Sequence, residues 1–324
     1  MRVKVFSHND LDGCGCGVVA NVAFGAENVS VEYCEYSEIN DKVFKFITDR
    51  DYEKYDRIFI TDISIQGAIA ELIDKNAELR DKTNLIDHHA TALPLAEKYE
   101  WCEVRVYESN LKLYEDDREK VLASGTSLFY KFLRNKHIPK MQHNIYLKTF
   151  AELVREYDSW EWHNVYKNIQ PKRLNDLLYI IGREKFVERF SDNPNPIFTD
   201  LESKLLEIED GRVNDYVSRK KQDVKTDFVV VGDRKYHIAY VFAEQNISLL
   251  GNAIAEECGA FVDFVAIIDI GRNKVSLRGV HDYPRLGVDV ARHYGGGGHD
   301  RSAGFEFQES FSCELFKKIF RKEG

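Results

Sequence analysis

The fold of this chain is decided by the stretch Val3-Lys4-Val5-Phe6-Ser7-His8-Asn9-Asp10-Leu11-Asp12-Gly13, which lies near its start. The first five residues have the short apolar pattern of a buried strand, and the small residues that follow predict a helix over Gly13–Phe24. His8, Asp10 and Asp12 stand between the two. Because an open α/β sheet binds ligands at the carboxyl ends of its strands, this arrangement predicts an α/β fold with a polar site there.

Strands that alternate with helices continue along the first half of the chain. Further strands are predicted over Val31–Tyr36, Arg57–Asp62 and Thr83–Asp87. Helices are predicted over Ile65–Asn76, Ser124–Arg134 and Gln142–Tyr157. Strands separated by helices at this spacing predict a doubly wound, mostly parallel sheet.

A second, smaller unit is expected beyond a polar stretch. The composition turns polar between Asn164 and Thr226, with a strong breaker at Asn193-Pro194-Asn195-Pro196 and a charged linker helix predicted over Thr199–Val224. Later strands are predicted over Phe228–Val231, Tyr236–Phe242, Val262–Asp269 and Lys274–Arg278, with a helix over Ser248–Glu257. We therefore expect one domain over residues 1–190, a helical linker over 191–226 and a smaller C-terminal α/β domain over 227–324.

The composition limits the range of partners. The chain has 324 residues, of which 44% are hydrophobic and 31% charged, an ordinary balance for globular domains with a buried core. Its 45 Lys and Arg residues against 54 Asp and Glu residues give a net charge of −9. Binding of long duplexes depends on many cations that neutralise phosphates, so this balance argues against it. A short nucleotide in a local pocket is compatible with the charge.

The sequence predicts a cytoplasmic protein without a membrane partner. No apolar run approaches the roughly 18–20 residues that span a bilayer, and the first residues become polar too soon for a signal peptide. The six cysteines are scattered, which favours a reducing compartment. The close pair in Cys14-Gly15-Cys16 is interpreted as small residues that pack a helix against a sheet rather than as a thiol site.

Metal ligands are expected where the predicted strands end. The polar residues at these ends, with one from the end of a later helix, are His8, Asp10, Asp12, Asp62, Asp87, His88, His89 and Asp158. Taken singly, each motif has a structural explanation, such as capping of a helix N-terminus. Together they bring several carboxylates into one crevice, where their mutual repulsion favours divalent cations. Mixed Asp and His ligands suit Mn²⁺ or another first-row metal, and two such ions about 3.5–4 Å apart clamp a phosphoryl group.

A second candidate site is the glycine stretch Gly295–Gly298, followed by His299 and by Ala303-Gly304-Phe305. Successive glycines let backbone N–H groups approach an anion, which predicts a phosphate-binding nest, and a flexible loop is the alternative. Arg278, at the end of a predicted strand, offers bidentate contacts to a phosphate, although a single arginine is more often a surface cation.

These residues resemble the motifs of the DHH phosphoesterase superfamily, in its branch with a C-terminal DHHA1 domain. The four DHH motifs correspond to His8–Gly13, Asp62, Asp87-His88-His89 and Asp158. The DHHA1 signature corresponds to Gly296-Gly297-Gly298-His299 with Ala303-Gly304-Phe305, and its strand arginine to Arg278. Residues 164–224 match no motif of the family.

The resemblance implies a catalytic first domain with two divalent ions, most readily Mn²⁺, that activate water to open phosphoester bonds. It assigns one ion to His8, Asp10 and Asp62, and the other to Asp12, Asp62, His88 and Asp158. His89 would contact the reacting phosphate or protonate the leaving oxygen, while Asp87 would orient a neighbouring imidazole. The residues implied to hold the terminal phosphate or sugar, across an interdomain cleft, are Arg278, Gly296, Gly297, Gly298 and His299.

Within the family, the compact length and the motif contexts resemble the oligoribonuclease branch, the nano-RNases or 3′–5′ exonucleases of short strands. The expected substrate is thus a short RNA or DNA oligonucleotide or a small nucleotide. A 3′-phosphoadenosine 5′-phosphate phosphatase and a cyclic or linear dinucleotide phosphodiesterase are alternatives. A nucleotide-binding regulator without catalysis is a further alternative, against which the complete ligand set argues. The sequence is compatible with a homo-oligomer.

Overall fold

The structure of the protein is a computed structural model that describes residues 1–110 and 118–308, together with 314, 317 and 318. Cys313 lies outside the described residues. The chain divides into two compact units, Met1–Leu206 and Glu207–Gly324. The domain boundaries at residues 190 and 226 stay predictions, and a helix over Asp200–Gln222 runs across the observed division.

The first unit contains a parallel sheet in which neighbouring strands end at the same edge. Its strands are β1 (Val3–His8), β2 (Val29–Cys34), β3 (Arg57–Thr61), β4 (Thr83–Asp87) and β5 (Cys102–Val104). Their spatial order is β2-β1-β3-β4-β5, and each neighbouring pair is parallel. Ser7 pairs with Thr61, and Thr61 pairs with Ile86, so the polar residues that follow these strands leave the sheet side by side. A separate antiparallel pair is formed by β6 (Tyr107–Ser109) and β7 (Lys120–Leu122).

Helices cover both faces of this sheet, as a doubly wound fold requires. They are α1 (Leu11–Phe24), α2 (Ile39–Thr48), α3 (Gly67–Lys75), α4 (Ala77–Lys82), α5 (Leu93–Lys98), α6 (Gly125–Asn135), α7 (Pro139–Gln142), α8 (Ile145–Asp158), α9 (Glu161–Asn164), α10 (Gln170–Ile181), α11 (Arg183–Asp192) and α12 (Asp200–Gln222). Val5 belongs to the hydrophobic core on one face, whereas its neighbour Phe6 belongs to the core on the other. This alternation follows from the two-residue period of a strand and explains why the strands are apolar throughout.

The polar stretch after Asn164 contributes more to the first unit than its composition suggests. Helices α10 and α11 lie within it and supply Leu174, Leu177, Phe186 and Phe190, all fully buried, to the same core as α1. Their apolar residues are widely spaced among charged ones, because these helices bury one face and expose the other. Residues 170–192, for which the sequence predicted no helix, therefore belong to the core of the first unit.

Helix α1 packs closely because its residues are small. A Cβ atom on Gly15 would lie 2.3 Å from the side-chain oxygen of Thr126, and one on Gly17 would lie 2.2 Å from that of Tyr33. Cys14 and Cys16 are fully buried, and burial raises the pKa of Cys14 to about 12. These thiols are packing groups, because a buried thiol with a raised pKa is unreactive.

The second unit is a smaller sheet with one parallel connection. Its strands are β8 (Lys225–Val231), β9 (Arg234–Phe242), β10 (Phe264–Asp269), β11 (Lys274–Gly279), β12 (Gly297–Gly298) and β13 (Ser302–Glu306), in the spatial order β12-β13-β11-β10-β9-β8. Strands β9 and β10 are parallel and are joined through α13 (Ile247–Cys258), and the other neighbours are antiparallel. The predicted fold class, a parallel α/β unit followed by a smaller α/β unit, is confirmed.

Among the described residues, no helix is both long enough and apolar enough to cross a bilayer.

Candidate metal centre

The first strand delivers His8 and Asp10 to the carboxyl edge of the sheet. Asp10 caps α1, because its Oδ1 accepts a hydrogen bond from the backbone N–H of Gly13 at 3.0 Å. Its other carboxylate oxygen lies 2.8 Å from Nδ1 of His8. Gly13 permits this tight turn, since a Cβ atom there would lie 1.9 Å from the carbonyl oxygen of His8. The motif therefore has a structural role as a cap and still leaves two ligand atoms together.

Asp62 occupies the middle of the cluster. It follows β3 with a left-handed φ of 57°, is 1% exposed and lies between two imidazoles. Its Oδ1 lies 3.2 Å from Nε2 of His88, and its Oδ2 lies 4.0 Å from Nδ1 of His8. A single carboxylate thus faces both histidines, which is the placement that a bridging ligand needs.

Asp12 is held by the N-terminus of α6. Its two carboxylate oxygens accept hydrogen bonds from the backbone N–H groups of Gly125 at 2.6 Å and Thr126 at 2.8 Å. The positive end of a helix stabilises a buried carboxylate, and Asp12 is 2% exposed. Sequence reasoning did not find Gly125 or Thr126, because their roles depend on a contact between elements far apart in the chain.

His88 connects Asp12 with the end of α8. Its Nε2 lies 3.7 Å from an oxygen of Asp12 and 3.7 Å from an oxygen of Asp158. Helix α8 begins three residues later than predicted because the side chain of Asn144 caps it, and it ends at Asp158 as the site requires. Three overlapping groups of close ligand atoms result, and they are His8, Asp10 and Asp62; Asp12, His88 and Asp158; and Asp62, Asp87, His88 and His89. The predicted ligands thus lie together, with Asp62 also in contact with the second group.

Among the described residues, the negative charges of the carboxylates in this cluster are not balanced by positive charges. Burial raises the pKa of Asp62 and of Asp158 well above the ordinary range, and the carboxylates of Asp12 and Asp10 raise both further. Asp62 Oδ2 is buried and accepts no hydrogen bond from the described residues. An unpaired oxygen among carboxylates and imidazoles fits divalent cations, which would supply the missing positive charge. We conclude that the donor set suits divalent metal ions.

A second network orients His89. Asp87 is fully buried, and its Oδ1 lies 2.8 Å from Nδ1 of His89 while it also accepts the backbone N–H of His88 at 2.8 Å. The hydrogen bond to Asp87 raises the pKa of His89. The hydroxyl of Tyr36 lies 3.2 Å from the other ring nitrogen of His89. Sequence reasoning missed Tyr36 because it placed this residue inside a strand, whereas β2 ends at Cys34 and leaves Tyr36 at the site.

The second unit brings together most of the residues predicted to bind substrate. Arg278, Gly296, Gly297 and Gly298 line one cavity of about 560 Å³, whereas His299 is exposed and is absent from the described lining. Arg278 donates to the hydroxyl of Ser248 at 2.8 Å, and burial lowers the pKa of Arg278.

The glycine stretch Gly297–Gly298 forms a hairpin strand paired with β13. The backbone N–H of Gly296 donates to Ala291, and that of His299 donates to Ser302, so these two amides are already used within the protein. A Cβ atom on Gly296 would lie 2.1 Å from the carbonyl oxygen of Gly304. Glycine is required here because two backbones approach closely.

Comparisons with known proteins identify proteins that are similar to this chain. No protein-family model matches the sequence. The chain is 37% identical over 322 residues to oligoribonuclease NrnB of Bacillus subtilis (strain 168), covering 97% of this chain and 76% of that protein. The DHH domain of a member of a ribosomal protein family aligns with a TM-score of 0.53 at 14% identity, covering 100% of this chain and 87% of that one. PggH, a pGpG-specific phosphodiesterase from Vibrio cholerae, aligns with a TM-score of 0.51 at 11% identity, covering 98% of this chain and 97% of PggH.

The two structural likenesses show the fold, and the sequence identity shows the relationship. The residues that resemble the four DHH motifs lie close together in the first unit. This chain therefore belongs to the family of oligoribonuclease NrnB, and it has the fold of a DHH domain.

Proposed function

We propose that the protein hydrolyses short oligoribonucleotides with the help of two divalent ions, Mn²⁺ above others. The observation that carries this proposal is the position of Asp62, whose two carboxylate oxygens face His8 and His88. The similar protein NrnB of Bacillus subtilis is named an oligoribonuclease, which supports RNA oligonucleotides as the substrate class. The acidic net charge of −9 supports a short substrate, because long strands need an extended cationic track.

The proposed ligands form two sets that share one carboxylate. His8, Asp10 and Asp62 would hold one ion, and Asp12, Asp62, His88 and Asp158 would hold the other. Divalent ions so held would polarise the phosphoryl group and lower the pKa of the attacking water. Mn²⁺ is proposed because imidazole and carboxylate ligands together suit first-row metals better than Ca²⁺.

His89 is proposed to act on the substrate rather than on the ions. The carboxylate of Asp87 accepts its Nδ1–H and raises the pKa of His89, so the ring is held in one orientation and its protonated form is favoured. A protonated imidazole can donate a hydrogen bond to a phosphate oxygen or a proton to the leaving oxygen. Arg278, the glycine stretch Gly296–Gly298 and His299 are proposed to hold another part of the substrate. Cytoplasmic location stays a prediction.

The reaction class is tested by turnover of a substrate panel. The metal-stripped protein is assayed with Mn²⁺, Mg²⁺ or Zn²⁺ on RNA dinucleotides, 3′-phosphoadenosine 5′-phosphate and a cyclic dinucleotide, with His88→Ala as the inactive control. The proposal expects Mn²⁺-dependent release of mononucleotides from RNA dinucleotides. Faster turnover of 3′-phosphoadenosine 5′-phosphate would instead identify a phosphatase, and binding without hydrolysis of any substrate would identify a regulator.

A further inference from the structure

A cavity of about 450 Å³ opens beside Asp87 and His89 in the first unit. Its lining includes none of the residues proposed to hold the ions, and the lining residues other than Asp87 and His89 have no predicted role. Its position matters because His89 is the residue proposed to contact the reacting phosphate. A group that occupied this cavity during turnover would lie beside His89 and so near that phosphate.

Part of the cavity wall is apolar and includes an exposed aromatic ring. Ile65 is 5% exposed, and Leu95 is half-buried in the same core. The ring of Tyr36 stands at the cavity with 54% of its surface exposed while its hydroxyl contacts His89. Aromatic rings on exposed surfaces of this kind stack on bases of single-stranded nucleic acids.

The polar part of the wall has hydrogen-bonding groups without partners among the described residues. The side chains of Ser64, Gln66 and Thr91 line the cavity and make no hydrogen bond there. The side-chain carbonyl oxygen of Asn40 accepts a hydrogen bond from the backbone N–H of Gln66 at 2.8 Å. The amide N–H groups of the Asn40 side chain remain available to a ligand. Apolar walls with a few unused donors and acceptors are the usual composition of a small-molecule site.

The charge of the wall indicates which part of a nucleotide would fit. None of the described lining residues is Lys or Arg, so the wall carries no permanent cation to pair with a second phosphate. Amide and hydroxyl groups instead match the hydrogen-bonding edge of a neutral heterocycle. We propose that this cavity binds one of the two bases that flank the scissile phosphate. This inference rests on the proposed function, because it makes the enzyme read a base and not only a phosphodiester.

Gly67 provides a sharp test of the cavity. It begins α3 at the cavity wall, and a Cβ atom there would meet nothing within 4 Å. Gly67→Trp therefore adds a large side chain at the cavity without a clash at its origin. The matched control is Gly211→Trp, since Gly211 lies exposed in α12 and also has open space around its Cβ. We expect Gly67→Trp to lower by about tenfold the ratio of kcat/KM for the RNA dinucleotide ApA to that for bis-p-nitrophenyl phosphate. Gly211→Trp should keep the wild-type ratio.

A second measurement uses the wild-type protein and so does not depend on a variant that folds. ApA is compared with its two abasic analogues, each lacking one base. The proposal expects a rise of about tenfold in KM for one analogue. Equal KM values for ApA and both analogues would overturn the base site while leaving the proposed function intact. Failure to hydrolyse ApA, with bis-p-nitrophenyl phosphate still turned over, would overturn the proposed function itself.

Discussion

Gly125 lies directly against Asp62: a Cβ atom on Gly125 would be 2.4 Å from the Cβ of Asp62. At this contact the first residue of α6 meets the residue that follows β3. The backbone N–H of Gly125 simultaneously donates to Asp12 at 2.6 Å. The absence of a side chain at Gly125 therefore lets one helix terminus hold one proposed metal ligand while it touches another.

Gly125→Ala should impair metal binding without removing a ligand. The added methyl group must displace Asp62 or α6, and overpacking of this kind costs about 1–3 kcal/mol. Misplacement of a reacting group by about 1 Å costs roughly 100-fold in rate. We expect a drop of that order in kcat and weaker Mn²⁺ binding by calorimetry. Gly211→Ala is the control, because a Cβ atom on Gly211 would meet open space. Normal Mn²⁺ affinity in Gly125→Ala would contradict the claim that the contact between Gly125 and Asp62 positions a metal ligand.

Asp62→Asn should have opposite effects on the metal-free and metal-loaded proteins. In the metal-free protein, burial and the neighbouring carboxylates raise the pKa of Asp62, so its ionised form opposes folding. The substitution should therefore raise Tm when chelator is present. It should also abolish the stabilisation by Mn²⁺, which for one site is about 2.7 kcal/mol at 100 times Kd.

The pH dependence of this effect has a defined sign. As pH rises from the ordinary carboxyl pKa through the raised pKa of Asp62, the metal-free wild type loses more stability than Asp62→Asn, in which only the raised pKa of Asp158 remains. The difference in Tm should accordingly grow with pH and vanish in acid. Thermal unfolding in chelator across this range measures it, and a difference that is constant with pH would show that Asp62 is not the group responsible.

Asp87→Asn should lower the pKa of His89. The hydrogen bond from Nδ1 of His89 to Asp87 is what raises that pKa, so its weakening shifts the titration of the imidazole to lower pH. Histidine ring resonances of the metal-free protein, followed by NMR, report this shift. Exposed His143 serves as the internal control. An unchanged His89 titration would mean that Asp87 does not set the protonation of this ring.

Arg278→Ala should affect substrate binding more than chemistry. A group that binds ground and transition states equally raises KM when removed. We expect a loss of about 2 kcal/mol, or roughly 30-fold, in kcat/KM on an RNA dinucleotide, and a much smaller loss on bis-p-nitrophenyl phosphate. Arg272→Ala removes an exposed arginine paired with Asp269 and is the matched control. Equal losses on both substrates would place Arg278 at the reacting phosphate.

Local patterns made strands β1, β3 and β4 and the proposed metal ligands at their ends predictable from sequence. Each of these three strands has a short apolar run, and ligands follow the runs directly, as His8, Asp62 and His88 show. What escaped prediction depends on contacts between distant elements. Gly125 has no local signal, since its meaning comes from Asp12 and Asp62. Helices α10 and α11 were missed because each buries only a narrow apolar face. The close backbone packing at Gly296 was not foreseen either, because close packing and anion binding both require glycine.

The central claim, that this enzyme hydrolyses short oligoribonucleotides, is tested most directly by rate against length. The Mn²⁺-loaded protein is given RNAs from two to twenty nucleotides at equal concentration, and kcat/KM is measured for each, with His88→Ala to exclude contaminating nucleases. The account predicts the highest kcat/KM on dinucleotides and a steady fall with length. Faster, processive digestion of the twenty-nucleotide RNA than of the dinucleotide would contradict it.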